Sequence, residues 1–298
     1  MLSLVQQAAG ELGLAVPTVV VGNTNTDTIQ QLALLNSVGK EISRQYIWQA
    51  LNKQNIITVS TATVTGTTAA GSATLTTSNT GSVDATYQIS GPGINQATYI
   101  TGVSANVSLT LSQIATSANT NATYTLSKVK YTMPTDYDRQ IDNTHWDKSK
   151  HWQMLGPETA QQWEWLISGY ISTGPRIRYR IFGGYFQIWP QVTINEVLGF
   201  EYVSNGWASS SSGTAQSAFL ADTDTCIYPD SLMVTGLKLK YAQAKEFDGL
   251  VASYARDYQI QLDIAKANDA GSATLSMCPR VNTILIGWDQ IPDSGYGS

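Results

Sequence analysis

His145 and His151 stand six residues apart in HWDKSKHW, each followed by a tryptophan. A six-residue step places two imidazoles neither on one helix face nor at the spacing of a metal pair, and no cysteine or third histidine accompanies them. Both read as polar surface or interface histidines. Asp142, Asp147, Glu158 and Glu164 lie among tryptophans, the setting in which a sugar would stack. Glycoside cleavage needs two carboxyls fixed across a cleft, and no spacing here fixes two. ADTDT, followed by Asp230, lacks the glycine and terminal glutamate of a calcium-binding EF-hand, so Asp222 and Asp224 are expected in capping or turn roles. No glycine-rich phosphate loop and no nucleophile elbow occur. The expectation is therefore no catalytic residue, no cofactor and no metal.

The best polar feature is an alternating trio, Arg176, Arg178 and Arg180, which a strand would place on one face. Such a face is either solvated or meets carboxylates on a copy of itself or a partner. Gly183-Gly184 supplies the two positive-φ residues of a tight hairpin turn. Counting back from it pairs Ile181 with Phe186 and Tyr179 with Ile188 on a core face. It pairs Arg180 with Gln187 and Arg178 with Trp189 on the other, where Trp189 could receive Arg178 by cation–π contact. The surrounding segment, Tyr137 to Pro190, holds five of the eight tryptophans. That density implies a packed core with polar handles or a surface covered by a partner.

The elements that must position these residues begin with two helices. Leu2, Val5, Ala8, Ala9 and Leu12 recur at helical spacing, with Gly13 as the stop. Thr26 or Asp27 caps a second helix, expected to run to about Asn52, and the two read as an antiparallel pair. From Gln54 to Ser127 the only charged residue is Asp84, and short alternating runs such as SATLTTS, TYQISG and ATYTLS are separated by turn residues. This reads as a small all-β module of sandwich or barrel type inserted at 54–127, with its ends close together. After KVKYTMP comes a β-rich zone with one helix, for which Pro157 is placed as the first residue. Helical spacing returns after Pro229-Asp230 and runs to about Ala265, with Gly236 and Gly249 as candidate breaks. VNTILIG reads as a strand in a final segment, 271–298, that has no core of its own. The fold class expected is α+β: a helical-bundle core (1–53 and 128–270) with a small antiparallel β region, the β insert and an extended C-terminal arm.

Charged residues make up only 13% of the 298 residues and the net charge is −5, which argues against an electrostatic nucleic-acid binder. No apolar run approaches the ~18 residues of a membrane span, and the N-terminus lacks the basic region of a secretory leader. The two cysteines, Cys226 and Cys278, read as free thiols.

The order of segments is informative in itself. An opening helix ending in ELGL precedes QQLALLNSVGKEISRQYIWQAL. After the insert come MPTDYDRQIDNTHWDKSKHWQMLGP, a QQWEWL helix, GPRIRYRI-GG, FEYVS-GW and FLADTDTCIYPDSLMVTGLKLKYAQAKEFD. In this order the chain resembles the head-to-tail adaptor family, or tail accessory factors, of tailed bacteriophages, especially short-tailed ones. The resemblance covers residues 1–53 and 128–270. It implies a structural virion protein with no chemistry: a ring, dodecameric in the family, that binds beneath the portal protein, seals the DNA-filled head and docks the tail proteins. Genomic DNA would be passing cargo, for which an acidic channel is suited. The implied interface candidates are Arg176, Arg178, Arg180, Trp146, Trp152, Trp163, Trp165 and Trp189, with Trp288 and Tyr296 in the arm. Two other classes remain open: a glycan-binding or glycan-cleaving tail-associated protein, and a tail-tube or nozzle subunit.

Overall fold

A computed structural model describes residues 1–168, 176–192 and 194–270. Among them are five α-helices, α1 (Leu2–Glu11), α2 (Thr26–Gln45), α3 (Ala160–Ile167), α4 (Asp230–Ala244) and α5 (Asp248–Ala270), and seventeen strands in four antiparallel sheets. The expected helical-bundle core with a small β region is thereby overturned. Strands hold as many of the described residues as helices do, spread over four sheets. The one helix-built core cluster also takes Val203, Trp207, Phe219 and Tyr228 from strands and loops. Helical periodicity is readable over long stretches, whereas strands of two or three residues leave no period to read.

α1 buries Leu4, Val5, Ala8 and Ala9, and Gly13 beyond it takes φ +70°. α2 is capped by Asn25, whose side chain accepts from the Asp27 N–H at 2.9 Å. It stops at Gln45, seven residues before the expected end. In a continuing helix the Ile42 carbonyl would accept from the Tyr46 N–H. Instead the chain turns extended at Tyr46, and the buried Trp48 indole donates back to Ile42 at 2.8 Å.

α1 and α2 do not make the expected pair their main contact; each packs chiefly on α4, as does α5. α4 is therefore apolar nearly all round, burying Leu232, Met233, Val234, Leu237, Leu239, Tyr241 and Ala242. The break between α4 and α5 falls at Lys245–Phe247, with Glu246 at φ 57°, rather than at Gly236 or Gly249.

The central sheet is built on Val197–Ser204. Asn52–Thr58 lies along one side of it, in the register Lys53↔Tyr202, Asn55↔Phe200 and Ile57↔Leu198. Tyr137–Gln140 and Trp146–Asp147 lie along the other. A second sheet joins Arg178–Phe182, Tyr185–Trp189 and Lys130–Thr132. The two sheets share a core of Ile57, Tyr179, Phe186, Ile188, Leu198 and Phe200 among others.

A six-stranded sheet spans Thr61 to Lys128. Its first and last strands in sheet order, Tyr87–Ser90 and Ile100–Ser104, are tied by a Gln88–Tyr99 bridge and by the Ile89 N–H donating to Thr98 at 3.0 Å. The sheet thus closes on itself around Val64, Leu75, Ile89, Leu109, Tyr124 and Leu126, and closure removes the edges an open sheet would expose. Threonines 63, 65, 74, 76, 110 and 123 point outward. Among the described residues, no helix is long and apolar enough to cross a membrane.

Candidate assembly surface and polar junction

The hairpin has the register that its sequence predicts, Ile181↔Phe186, Arg180↔Gln187, Tyr179↔Ile188 and Arg178↔Trp189. Its second face differs from expectation. Arg178 does not sit on Trp189; its Nη1 donates to Glu158 Oε1 at 2.6 Å, and the Glu158 side chain is only 7% exposed. Trp189 is 1% exposed and is covered by Trp163, Leu166 and Ala97. A large apolar ring gains more by burial against α3 than by accepting a half-exposed cation.

α3 itself starts at Ala160, three residues after Pro157. Thr159 and Gln162 form its capping box, which decides the boundary. Period 3.6 then puts Trp163 inward and Trp165 outward, at 4% and 58% exposure.

The three arginines are therefore not equivalent. Arg178 is committed within the chain. Arg180 is half-buried, its guanidinium 4.6 Å from the ring centroid of the exposed Phe182 at the hairpin tip. Arg176 is exposed before the strand begins. Trp146 is half-buried opposite Gly199, and Trp152 is exposed opposite Asp147. The expected site residues thus divide into core (Trp163, Trp189) and surface (Arg176, Trp152, Trp165), with Arg178, Arg180 and Trp146 between. Trp288, Tyr296, Cys278, the VNTILIG strand and the 271–298 arm lie outside the described residues.

His145 is a correction. It is 1% exposed, stacked 4.1 Å from Tyr179 and 5.1 Å from Phe200, with its Nδ1 3.0 Å from the Tyr179 hydroxyl. Burial pulls its pKa down to about 4, which the Asp142 charge only partly offsets. Its aromatic partners come from two other strands, so local sequence carried no sign of them. His151 is exposed.

The four carboxylates are spent separately. Asp142 accepts from Gln140, Asp147 closes a turn through the Ser149 and Lys150 N–H groups, Glu158 holds Arg178, and Glu164 is exposed. Asp222 accepts from the Val20 and Val21 N–H groups, and Asp224 from those of Leu220 and Ala221. Asp224 thus takes the turn role expected of ADTDT, whereas Asp222 reaches across the fold to hold the loop before α2. Among the described residues, no three His, Cys, Asp or Glu side chains converge as metal donors. Burial pushes the Cys226 thiol up to about 11.

Sequence reasoning missed a polar junction centred on Asp136 and Arg139, both within PTDYDR. Asp136 accepts from Lys53 at 2.5 Å and Ser204 at 2.8 Å through one oxygen, and from the Tyr202 hydroxyl at 2.8 Å through the other. Burial opposes its ionisation, but these three donors outweigh burial and hold its pKa below the usual range. Burial and the Asp136 carboxylate together raise the Tyr202 phenol to about 12. Arg139 pairs with Asp138 at 2.7 Å and donates to the Ser43 and Tyr46 carbonyls. The junction joins the end of α2 to both flanks of the central sheet. The signal that could have found it is the run of three charges and a tyrosine within four residues after a proline.

Two surface features complete the site. α5 buries only Leu262 and Ala265 of its 23 residues, and Leu250, Ile260 and Ile264 are each nearly half exposed. A cleft of about 360 Å³ lies where the closed β module meets the hairpin sheet. Gln88, Ser90, Asn95, Gln96, Trp189 and Gln191 are among the residues that line it.

No known family model matches the chain, and no curated protein matches it. What the geometry offers chemically is contact: exposed aromatics, an arginine near the hairpin tip and another before its first strand, and an unfilled helix face.

Proposed function

We propose that the chain is a structural virion protein, a head-to-tail adaptor whose copies form a ring beneath the portal and dock the tail. The observation that carries this reading is α5. A helix of 23 residues that buries two of them, and leaves Leu250, Ile260 and Ile264 half in water, is a face that a neighbour completes. The colinear order of segments gives that neighbour an identity, another copy of the chain. Arg176, Phe182 and Trp165 are further exposed residues of the types that interfaces favour. The net charge of −5 suits a channel that DNA passes without sticking.

The test is particle mass and symmetry. Purified protein, alone and with portal protein, is examined by sedimentation and electron microscopy. Rings that bind portal are expected. Ile260→Asp with Ile264→Asp should leave a folded monomer and abolish the ring. Monomers that never engage portal would sink the reading.

A second reading, a glycan-binding tail-associated protein, is favoured by the cleft lined by Gln88, Asn95, Gln96, Gln191 and Trp189. The exposed amides of Asn95 and Gln96 suit a neutral sugar better than an ion. No carboxylate is among its lining residues, which favours binding over cleavage. Screening the intact protein against neutral glycans separates the two readings.

A further inference from the structure

The unfilled face of α5 is acidic as well as apolar. Residues 246–270 hold five carboxylates, Glu246, Asp248, Asp257, Asp263 and Asp269, against two cations, Arg256 and Lys266. Asp257 and Asp263 stand three positions before and after Ile260, so helical spacing puts one on each flank of it. Ile264 continues the same outward stripe, and both isoleucines are 49% exposed. A partner for this face needs apolar side chains with positive charge beside them.

The outer face of the hairpin sheet has that composition. The registers Arg180↔Gln187 and Gln187↔Lys130 set Arg180 and Lys130 in one row across three strands. Phe182, Tyr185 and Thr132 form the next row. This is the face turned away from the shared core of Tyr131, Tyr179, Phe186 and Ile188. Phe182 and Tyr185 are exposed on it. α3, which covers Trp189 farther along, holds Trp165 in solvent. The Arg180 guanidinium lies over the Phe182 ring and the Lys130 ammonium over the Tyr99 ring. Neither cation has a carboxylate within ion-pair distance among the described residues. Glu158 is spent on Arg178, which leaves Glu164 on α3 against Arg176, Arg180 and Lys130. Positive charge stays in excess.

Within one chain the two surfaces belong to different cores. α5 packs on α4 in the helical cluster, and the hairpin sheet packs on the central sheet. Two α5 faces set against each other would bring like charges together.

We infer that the hairpin face of one copy receives α5 of the next. Phe182 and Tyr185 meet Ile260 and Ile264, with Arg180 and Lys130 turned to Asp257 and Asp263. Exposed ion pairs add little adhesion, so the apolar contact holds the copies and the charges set which surfaces meet. Contact between two different patches is heterologous, the kind that closes into a ring when the rotation between copies closes. The inference rests on the ring reading and names the surfaces that build it.

The test is charge exchange in the full chain, read by sedimentation, with near-ultraviolet dichroism as the check on folding. Lys130→Glu with Arg180→Glu should leave a folded monomer at concentrations where the native chain assembles. Asp257→Lys with Asp263→Lys should do the same. A chain carrying all four substitutions should assemble again, because the reversed surfaces attract. The milder Lys130→Gln with Arg180→Gln should weaken association about tenfold, the scale of two exposed pairs. Native rings that persist through the hairpin reversal overturn the inference and leave the ring reading standing. Loss in both reversals without recovery in the fourfold variant overturns the pairing of these two surfaces. A native chain that stays monomeric with and without portal protein sinks the ring reading and this inference with it.

Discussion

Arg139 donates from its guanidinium to the main-chain oxygen of Tyr46 at 3.3 Å. Tyr46 is the residue on which α2 ends, so a cation from the central sheet sits at the negative end of a helix from the other layer. The same guanidinium holds Asp138, and the neighbouring Asp136 gathers Lys53, Tyr202 and Ser204. Helices and sheet are thus joined by charge-assisted bonds beside the apolar contact that Val203 makes with the helical cluster.

Arg139→Ala should therefore destabilise the protein by about 1–2 kcal/mol, the scale of hydrogen bonds to a charged, half-exposed group. Arg139→Lys should recover less than half of that, because an ammonium cannot span Asp138 and the two carbonyls together. Urea unfolding at neutral pH measures both. Equal stability of the lysine variant and the native protein would contradict the capping role.

Trp163 and Trp165 offer a paired comparison two residues apart. Trp163→Ala opens the small cluster around Trp189 and should cost about 3–5 kcal/mol. Trp165→Ala, on an exposed ring, should change stability by no more than about 0.5 kcal/mol. The second variant is instead expected to weaken assembly. Thermal melts and sedimentation of the two separate the core role from the surface role.

His145 should give the fold a pH dependence. Its folded pKa is depressed to about 4, below the ordinary value of 6.5, so between these values the unfolded chain binds a proton that the folded chain refuses. Stability is full above about pH 6.5, declines as pH falls towards 4, and levels off below. From pH 7 to 5 the loss should be about 2 kcal/mol by linkage. His145→Phe keeps an aromatic ring in the stack and should flatten that slope. Chemical unfolding across this interval decides it; an unchanged slope would place the titration elsewhere.

Gly39 marks the closest approach in the helical layer. A Cβ there would come within 2.3 Å of the Trp207 ring, which is 1% exposed and wedged against Phe219 and Tyr228. Gly39→Ala should cost about 1–3 kcal/mol by overpacking despite alanine's better helix propensity. Adding Trp207→Phe should recover part of the loss. Melting curves of the single and double variants give the coupling.

Legibility in the sequence followed the range of the interactions. The hairpin register was readable because Gly183-Gly184 fixes it from within five residues on either side. α1 was readable because its apolar face and its stop are local. The end of α2 was not, since the Trp48 indole that stops it returns from six residues away. Asn52–Thr58 looked continuous with the β module because alternation reports a strand without saying which sheet it joins. The bundle expectation failed for a related reason. Helices announce themselves by period, while Ala208–Ser209, Thr225–Cys226 and the loops carrying Phe219 and Tyr228 do not, yet they fill the same core. For the site, residue types were legible and roles were not. Arg178 and Trp189 face each other across the hairpin, but each is claimed by α3 or the loop before it.

The closed β module has a mechanical consequence. Its incoming strand, Thr61–Thr68, and its outgoing strand, Asn119–Lys128, are antiparallel neighbours, and Thr61 sits opposite Ser127. Tension along the main body therefore reaches the module at adjacent ends of one ladder, where hydrogen bonds open one at a time like a zip, not all together in shear. The module hangs from those two adjacent ends as a side branch of the main body. If the chain is pulled, it would be the first part to pay out length, lengthening the protein while the layers around Asp136 and Arg139 hold.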